Sequence, residues 1–272
     1  MGNRQSLRSW KRGLADYLDI LANDAKKSIG SRYYEAITEV TKPALSLKQS
    51  ILGFKRAPII SEVKFTSPSE GELRNSRDVE SIAGYMEEGG AVGISVLTEP
   101  NHFKGQIRFV AEIRKQVNVP ILMKDLILSP LQIDAASKSG ANAVLLIQTL
   151  FERGYCEKDV QEMIDYSHSK SLEVLLEVHT EKEFLSALKT EADMIGVNNR
   201  DLKTLKVDLE VTKRILSKHR SSEKVFVTES GINSSEDVRL LRSYGAQAFL
   251  VGTAIMKAGN VKEKVKELVE SL

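Results

Sequence analysis

Several apolar runs in this sequence end on charged or amide side chains, where a charge is costly unless it is paired or used. The run 59–64 closes on Glu62 and Lys64, and the run from residue 121 closes on Lys124 and Asp125. Glu177 sits in 173–178, Asn198 and Arg200 at the end of 194–198, and Glu229 with Ser230 and Gly231 at the end of 225–229. Run 91–97 leads to Thr98-Glu99, and run 248–251 leads into Gly252-Thr253. Simple ion pairing would account for any one of these residues, but their convergence on a common rim argues for a site. Lys64 and Lys124 with Glu62, Glu177, Glu229 and Asn198 form a workable acid–base set. A desolvated lysine in such a place is expected to have its pKa pushed toward neutrality.

The elements that must position these residues follow from patterning. These seven runs and an eighth, 143–147, are rich in Val, Ile and Leu and show little alternation, as in parallel strands covered on both faces. Amphipathic segments such as 78–88, 130–139, 181–188 and 234–242 lie between them. Gly90-Ala91, Gly140-Ala141 and Gly245-Ala246 mark helix exits that call for a left-handed cap. Eight βα units over residues 58–272 predict an α/β fold, a single (β/α)8 TIM barrel whose helices lie outside. Residues 1–57 read as a helical N-terminal extension of the same domain, with Leu7, Trp10, Leu14, Leu18 and Leu21 at helical steps and Pro43 breaking a second segment. An open doubly wound sheet would need a Gly-rich phosphate fingerprint after the first strand, and none is present.

In such a barrel the chemistry sits at the C-terminal strand ends. The turns Ser230-Gly231 and Gly252-Thr253 follow strands seven and eight, the usual phosphate position. The long polar loop 65–71 can fold over a ligand as a lid, with Ser67 in it, and Phe103 can supply an aromatic wall. His102 and His179 fall in loops on that side, and His168 and His219 on outer helices. None has metal-ligand spacing, so no zinc or other metal is expected, and no Walker-type or dinucleotide glycine motif is present.

The chain has 272 residues, 42% hydrophobic and 28% charged, with a net charge of +2. That charge is too small to argue for nucleic acid or an anionic membrane surface, and no apolar run approaches bilayer-spanning length. Cys156 is the single cysteine, fits a reducing, cytoplasmic location and is expected on the solvent side. Residues 1–6 formally fit an N-myristoylation pattern, a loose match whose single acyl chain would anchor weakly. The expected partner is a small-molecule substrate, and the chain is taken as a monomer.

The motifs Ile60-Ser61-Glu62-Val63-Lys64 with Ser67-Pro68-Ser69, Ser95-Val96-Leu97-Thr98-Glu99, Pro120-Ile121-Leu122-Met123-Lys124-Asp125, Leu176-Glu177-Val178-His179, Asn198-Asn199-Arg200-Asp201-Leu202 and Glu229-Ser230-Gly231-Ile232 occur in order at barrel spacing. Together they resemble the indole-3-glycerol phosphate synthase family over nearly the whole chain. The resemblance implies cofactor-free closure, decarboxylation and dehydration of 1-(2-carboxyphenylamino)-1-deoxyribulose 5-phosphate to an indole, in tryptophan biosynthesis. It implies Lys124 as the acid that protonates the ketone, Glu177 as general base and Glu62 as its carboxylate partner. Lys64 would hold substrate anions and serve the dehydration, while Asn198 and Glu229 would position. Ser230, Gly231, Gly252 and Thr253 would cradle phosphate, with Arg200 and Ser67 near the anthranilate end. The chain departs from the family at Leu126, where a Phe usually stacks on that ring, and at Thr253, where a smaller or acidic residue is frequent.

Two rivals are weighed. Another phosphate-binding barrel, phosphoribosylanthranilate isomerase, would need an Asp and Cys pair, and Cys156 is not at a strand end. A non-catalytic barrel scaffold would be expected to have lost Lys124, Glu177 or Lys64, and all three are present.

Overall fold

The computed structural model describes residues 16–35, 37, 39–41, 43–67, 70–74, 77–219 and 224–272. The N-myristoylation pattern, Leu7, Trp10, Leu14, Pro68 and Ser69 lie outside them. Among the described residues, eight parallel strands close into a barrel: β1 (Ile59–Val63), β2 (Gly93–Leu97), β3 (Ile121–Lys124), β4 (Ala143–Ile147), β5 (Glu173–Val178), β6 (Met194–Asn198), β7 (Val225–Glu229) and β8 (Ala248–Val251). Each strand pairs with its sequence neighbours, and β8 returns to β1 through Ile59↔Phe249. The predicted strands and helices are therefore found within a few residues of their expected ends. Gly140 and Gly245 cap their helices at φ 92° and 113°, and Gly90 has φ 96°, the left-handed geometry expected of them.

Alternation along the strands divides the apolar residues into two clusters. One lies between the strands and the surrounding helices and includes Ile59, Val63, Ile94 and Val96. The other fills the barrel itself, with Ile60, Leu122, Leu145, Leu175, Met194, Val227 and Leu250. The strand positions that continue the inner series toward the C-terminal rim are Glu62, Lys124, Glu177, Asn198 and Glu229. A barrel interior packed with hydrocarbon thus supports a rim of charge.

The N-terminal extension closes both ends of the barrel. Helix α1 (Tyr17–Gly30) starts on a capping box in which Asp16 and Asp19 accept each other's backbone N–H groups. Those carboxylates also hold Arg153, whose guanidinium reaches Asp16 at 2.8 Å and Asp19 at 2.5 Å, and Tyr155 donates to Asp19. Farther along the helix, His102 meets Asp24 at 2.8 Å and Asn101 donates to Ser28. The helix is thereby fastened to the loops after β2 and β4, across the C-terminal rim.

Helix α2 (Leu47–Gly53) closes the opposite end. Glu173, at the start of β5, accepts the N–H groups of Leu47 and Lys48 and the Ser46 hydroxyl, stabilising the positive end of the helix. The Leu47 side chain is fully buried in the inner cluster, against Gly93. Leu47→Ala is expected to lower the unfolding free energy by about 2–5 kcal/mol, the range for a buried leucine that leaves a cavity. Urea denaturation measures it, and a loss under about 1 kcal/mol would show that Leu47 is not a plug.

Candidate active site

Lys124, the last residue of β3, rises into the middle of the rim. Its Nζ lies 3.0 Å from Glu229 Oε2 on β7 and 3.1 Å from Glu62 Oε2 on β1. The other Glu62 oxygen takes Lys64 Nζ at 2.9 Å, so one carboxylate bridges two lysines. Two glycines make room for this crowding. A Cβ at Gly196 would collide with Glu229 Oε1, and one at Gly252 would meet Glu62 Oε1 and Lys64 Nζ.

The electrostatics of the cluster correct one expectation. Burial does work to discharge Lys124, but Glu62, Glu229 and Glu177 outweigh it, and the pKa moves up rather than toward neutrality. Burial also opposes the charge on Glu62, and Lys124 and Lys64 overcome it, holding that carboxyl at about 2. For Glu177 the help that Lys124 and Asn198 give falls short. Burial and the neighbouring Glu229 push it up to about 8, and burial raises Glu229 as well. The last two interact directly and titrate as a pair.

A cavity of about 490 Å³ opens above the cluster. Of the predicted site residues, Lys124, Glu177, Lys64, Glu62, Asn198, Ser67, Phe103, Arg200, Ser230, Gly231, Gly252 and Thr253 all line it. Glu229 does not. It is fully buried beneath Lys124, in contact with that lysine and with Glu177. Leu21 and Tyr17 of α1, with Leu126, Leu145, Ile147 and Leu202, add an apolar wall that sequence reasoning left out except for Leu126. Helical spacing had marked Leu21 as apolar, but nothing local says which surface a helix in an extension will cover.

The polar end is built from β6, β7 and β8. Asn198 Oδ1 accepts the Arg200 N–H at 2.9 Å, and Arg200 donates to the Leu205 carbonyl at 3.0 Å. Ser230 and Gly231 both take positive φ, 66° and 82°, in the turn after β7. Thr253 begins a short helix, Thr253–Lys257, with Gly252 as its cap.

Three outlying expectations are modified. The loop after β1 is a hairpin pairing Thr66–Ser67 with Gly71–Glu72, tied down by the Glu70–Lys257 ion pair. His102, placed by the sequence in a loop on the active-site side, is the barrel-side partner of Asp24 in the α1 dock. Cys156 is half-buried rather than on the solvent side, and burial pushes its thiol up to about 12. Among the described residues, no group of three or more His, Cys, Asp or Glu is disposed to hold a metal ion.

A closed parallel barrel with lysines and carboxylates converging on a cavity at its C-terminal rim defines a (β/α)8-barrel enzyme. Comparison with known proteins makes this particular. The model of the family described as indole-3-glycerol phosphate synthase matches residues 16–268. The chain is 40% identical over 260 residues to the indole-3-glycerol phosphate synthase of Methanocaldococcus jannaschii, covering 95% of this chain and 90% of that one. It is 41% identical over 229 residues to the same enzyme of Pyrococcus furiosus, covering 83% and 97%. Among solved structures, a thiamine phosphate pyrophosphorylase from Pyrococcus furiosus has a TM-score of 0.58 at 19% identity, covering 83% of this chain and 97% of that chain, which shows the shared fold alone. The chain belongs to the indole-3-glycerol phosphate synthase family.

Because the Glu177 pKa is raised above its unfolded value, its proton stabilises the fold most below the ordinary value of 4.5, and that contribution is lost as pH rises through about 8. Glu177→Gln keeps the shape and removes the titration. Unfolding free energies measured between about pH 5 and 9 should show the parent losing stability relative to the variant as pH rises. Parallel curves would contradict a buried, protonated Glu177.

Proposed function

We propose that the chain converts 1-(2-carboxyphenylamino)-1-deoxyribulose 5-phosphate to indole-3-glycerol phosphate, releasing carbon dioxide and water. The observation that carries this reading is the Lys124 ammonium held between Glu62 and Glu229 below a cavity with one apolar wall and one polar end. The apolar wall suits the anthranilate ring, and the end formed by Ser230, Gly231, Gly252 and Thr253 suits the phosphate.

Lys124 serves as the acid. Its charge survives burial, so a proton is available to the ketone oxygen as the ring carbon attacks the ketone carbon. Loss of carbon dioxide returns its bonding electrons to the ring. The new hydroxyl then leaves with a proton as water. Glu177 acts as the base, since a group titrating at about 8 can exchange a proton near neutrality. Lys64, fixed to Glu62 beside Gly252, lies where it can hold an anionic group and assist the hydroxyl's departure. Arg200, Asn198 and Ser67 orient the substrate, and Phe103 bounds it. Leu126 keeps the wall apolar and gives up ring stacking of about 0.5–1.5 kcal/mol.

The reading includes a single domain acting as a monomer, supported by site residues that all come from one chain and an extension that packs on both barrel ends. It also includes a cytoplasmic location. No helix among the described residues is long and apolar enough to cross a membrane. Nucleic acid has no part in it, in keeping with a net charge of +2.

Lys124→Met should abolish indole formation, followed by fluorescence, while the variant still binds a reduced substrate analogue. Near-normal turnover would sink the assignment. Activity should also survive exhaustive chelation unchanged, the reaction needing no metal or other cofactor. Loss on chelation that added metal restores would contradict the proposed chemistry.

A further inference from the structure

Asn199 sits between two cavity-lining residues, Asn198 and Arg200, yet its own side chain faces away from the cavity and is fully buried. Every polar group it carries is engaged. Its Nδ2 donates to Thr228 Oγ1 and to the Ser230 carbonyl, both at 3.1 Å. Its Oδ1 accepts from Thr212 N at 3.2 Å and Thr212 Oγ1 at 2.8 Å. On the main chain, its N–H donates to the Glu229 carbonyl and its carbonyl accepts from Asp208.

The hydroxyl directions are forced. Thr212 Oγ1 has one hydrogen, and it goes to Asn199 Oδ1. The 2.7 Å contact between Thr212 Oγ1 and Thr228 Oγ1 must then be donated by Thr228. Asn199, Thr228 and Thr212 thus form a closed ring in which each bond polarises the next. Such a ring is rigid, and it is anchored on the helix Glu210–Leu216 outside the barrel.

The placement of its two Nδ2 bonds is informative. They go to the residue before Glu229 and the residue after it. Asn199 therefore clasps β7 on both sides of the carboxylate that holds Lys124, and its second bond fixes the start of the left-handed Ser230-Gly231 turn. We propose that Asn199 is a positioning residue that sets the Lys124–Glu229 pair and the Ser230-Gly231 turn together, from the side of the barrel wall that substrate never reaches. This rests on the reading that the turn takes the substrate's phosphate.

The test compares Asn199→Ala, Asn199→Asp and Thr212→Val for thermal unfolding, kcat, KM and competitive inhibition by inorganic phosphate. Asn199→Ala should lower kcat about tenfold or more and weaken phosphate inhibition by a similar factor, since misplacement of about 1 Å costs up to a hundredfold. Asn199→Asp should be worse, because it sets an acceptor against the Ser230 carbonyl. Thr212→Val should act in the same direction and less, the ring being opened with the amide still present. A folded Asn199→Ala with parental kcat and phosphate inhibition, changed only in unfolding temperature, would overturn the proposal. If that variant does not fold, the same result in Thr212→Val overturns it. A parent that makes no indole refutes the functional reading instead. Phosphate titration and the Lys124–Glu229 separation in variant crystals then decide the positioning role, a separation kept at 3.0 Å with unchanged phosphate binding counting against it.

Discussion

The bond between Lys124 and its two carboxylates is the constraint around which the rim of the barrel is built. A lone ammonium at this depth would lose its proton, and a lone Glu62 would gain one. Placed together they keep each other charged, and the outcome is decided by distances near 3 Å. The partners come from β1, β3 and β7, so only the closed barrel brings them into contact. Closure and ionisation state are in this sense one property. Gly196 and Gly252 belong to it too, because any side chain there would occupy the space taken by Glu229 or by the Glu62–Lys64 pair.

Not all the acids around Lys124 can be charged. Glu62 is held charged by its ion pairs with two lysines, whereas burial raises both Glu177 and Glu229 and each opposes the charge of the other. That asymmetry separates the proposed roles of three glutamates. Glu62 is a fixed counter-charge, Glu229 an anchor below the lysine, and Glu177 the member free to take up and release a proton. The helical extension adds the remaining condition. By lying across the rim, α1 supplies Tyr17 and Leu21 to the cavity and limits water's access, which keeps these interactions strong.

Much of this was legible in the sequence, because a parallel barrel strand announces itself as a short apolar run and its catalytic end as a charge that breaks the run. Lys124, Glu177 and Asn198 needed no more than that rule. What stayed hidden depended on contacts between distant segments. The direction of the Lys124 shift could not be read without knowing that Glu62 and Glu229 lie within 3.1 Å of it. Burial alone gave the opposite sign. Arg153, Asp16 and Asp19 look like surface charges, and only their meeting reveals the dock of α1. Glu229 was found, but its place under the lysine rather than on the cavity wall depends on which way the end of β7 turns. Asn199 was passed over for its neighbour because a strand's outward face carries no chemical signal in sequence.

The central claim is that carboxylates, not burial, govern Lys124. Nitrogen-detected NMR of lysine side chains can follow its protonation in the parent and in Glu62→Gln/Glu229→Gln. The account predicts that parental Lys124 stays charged beyond the ordinary lysine value of 10.5, and that the paired substitution brings its titration below that value. A parental Lys124 that loses its proton near neutral pH would contradict it.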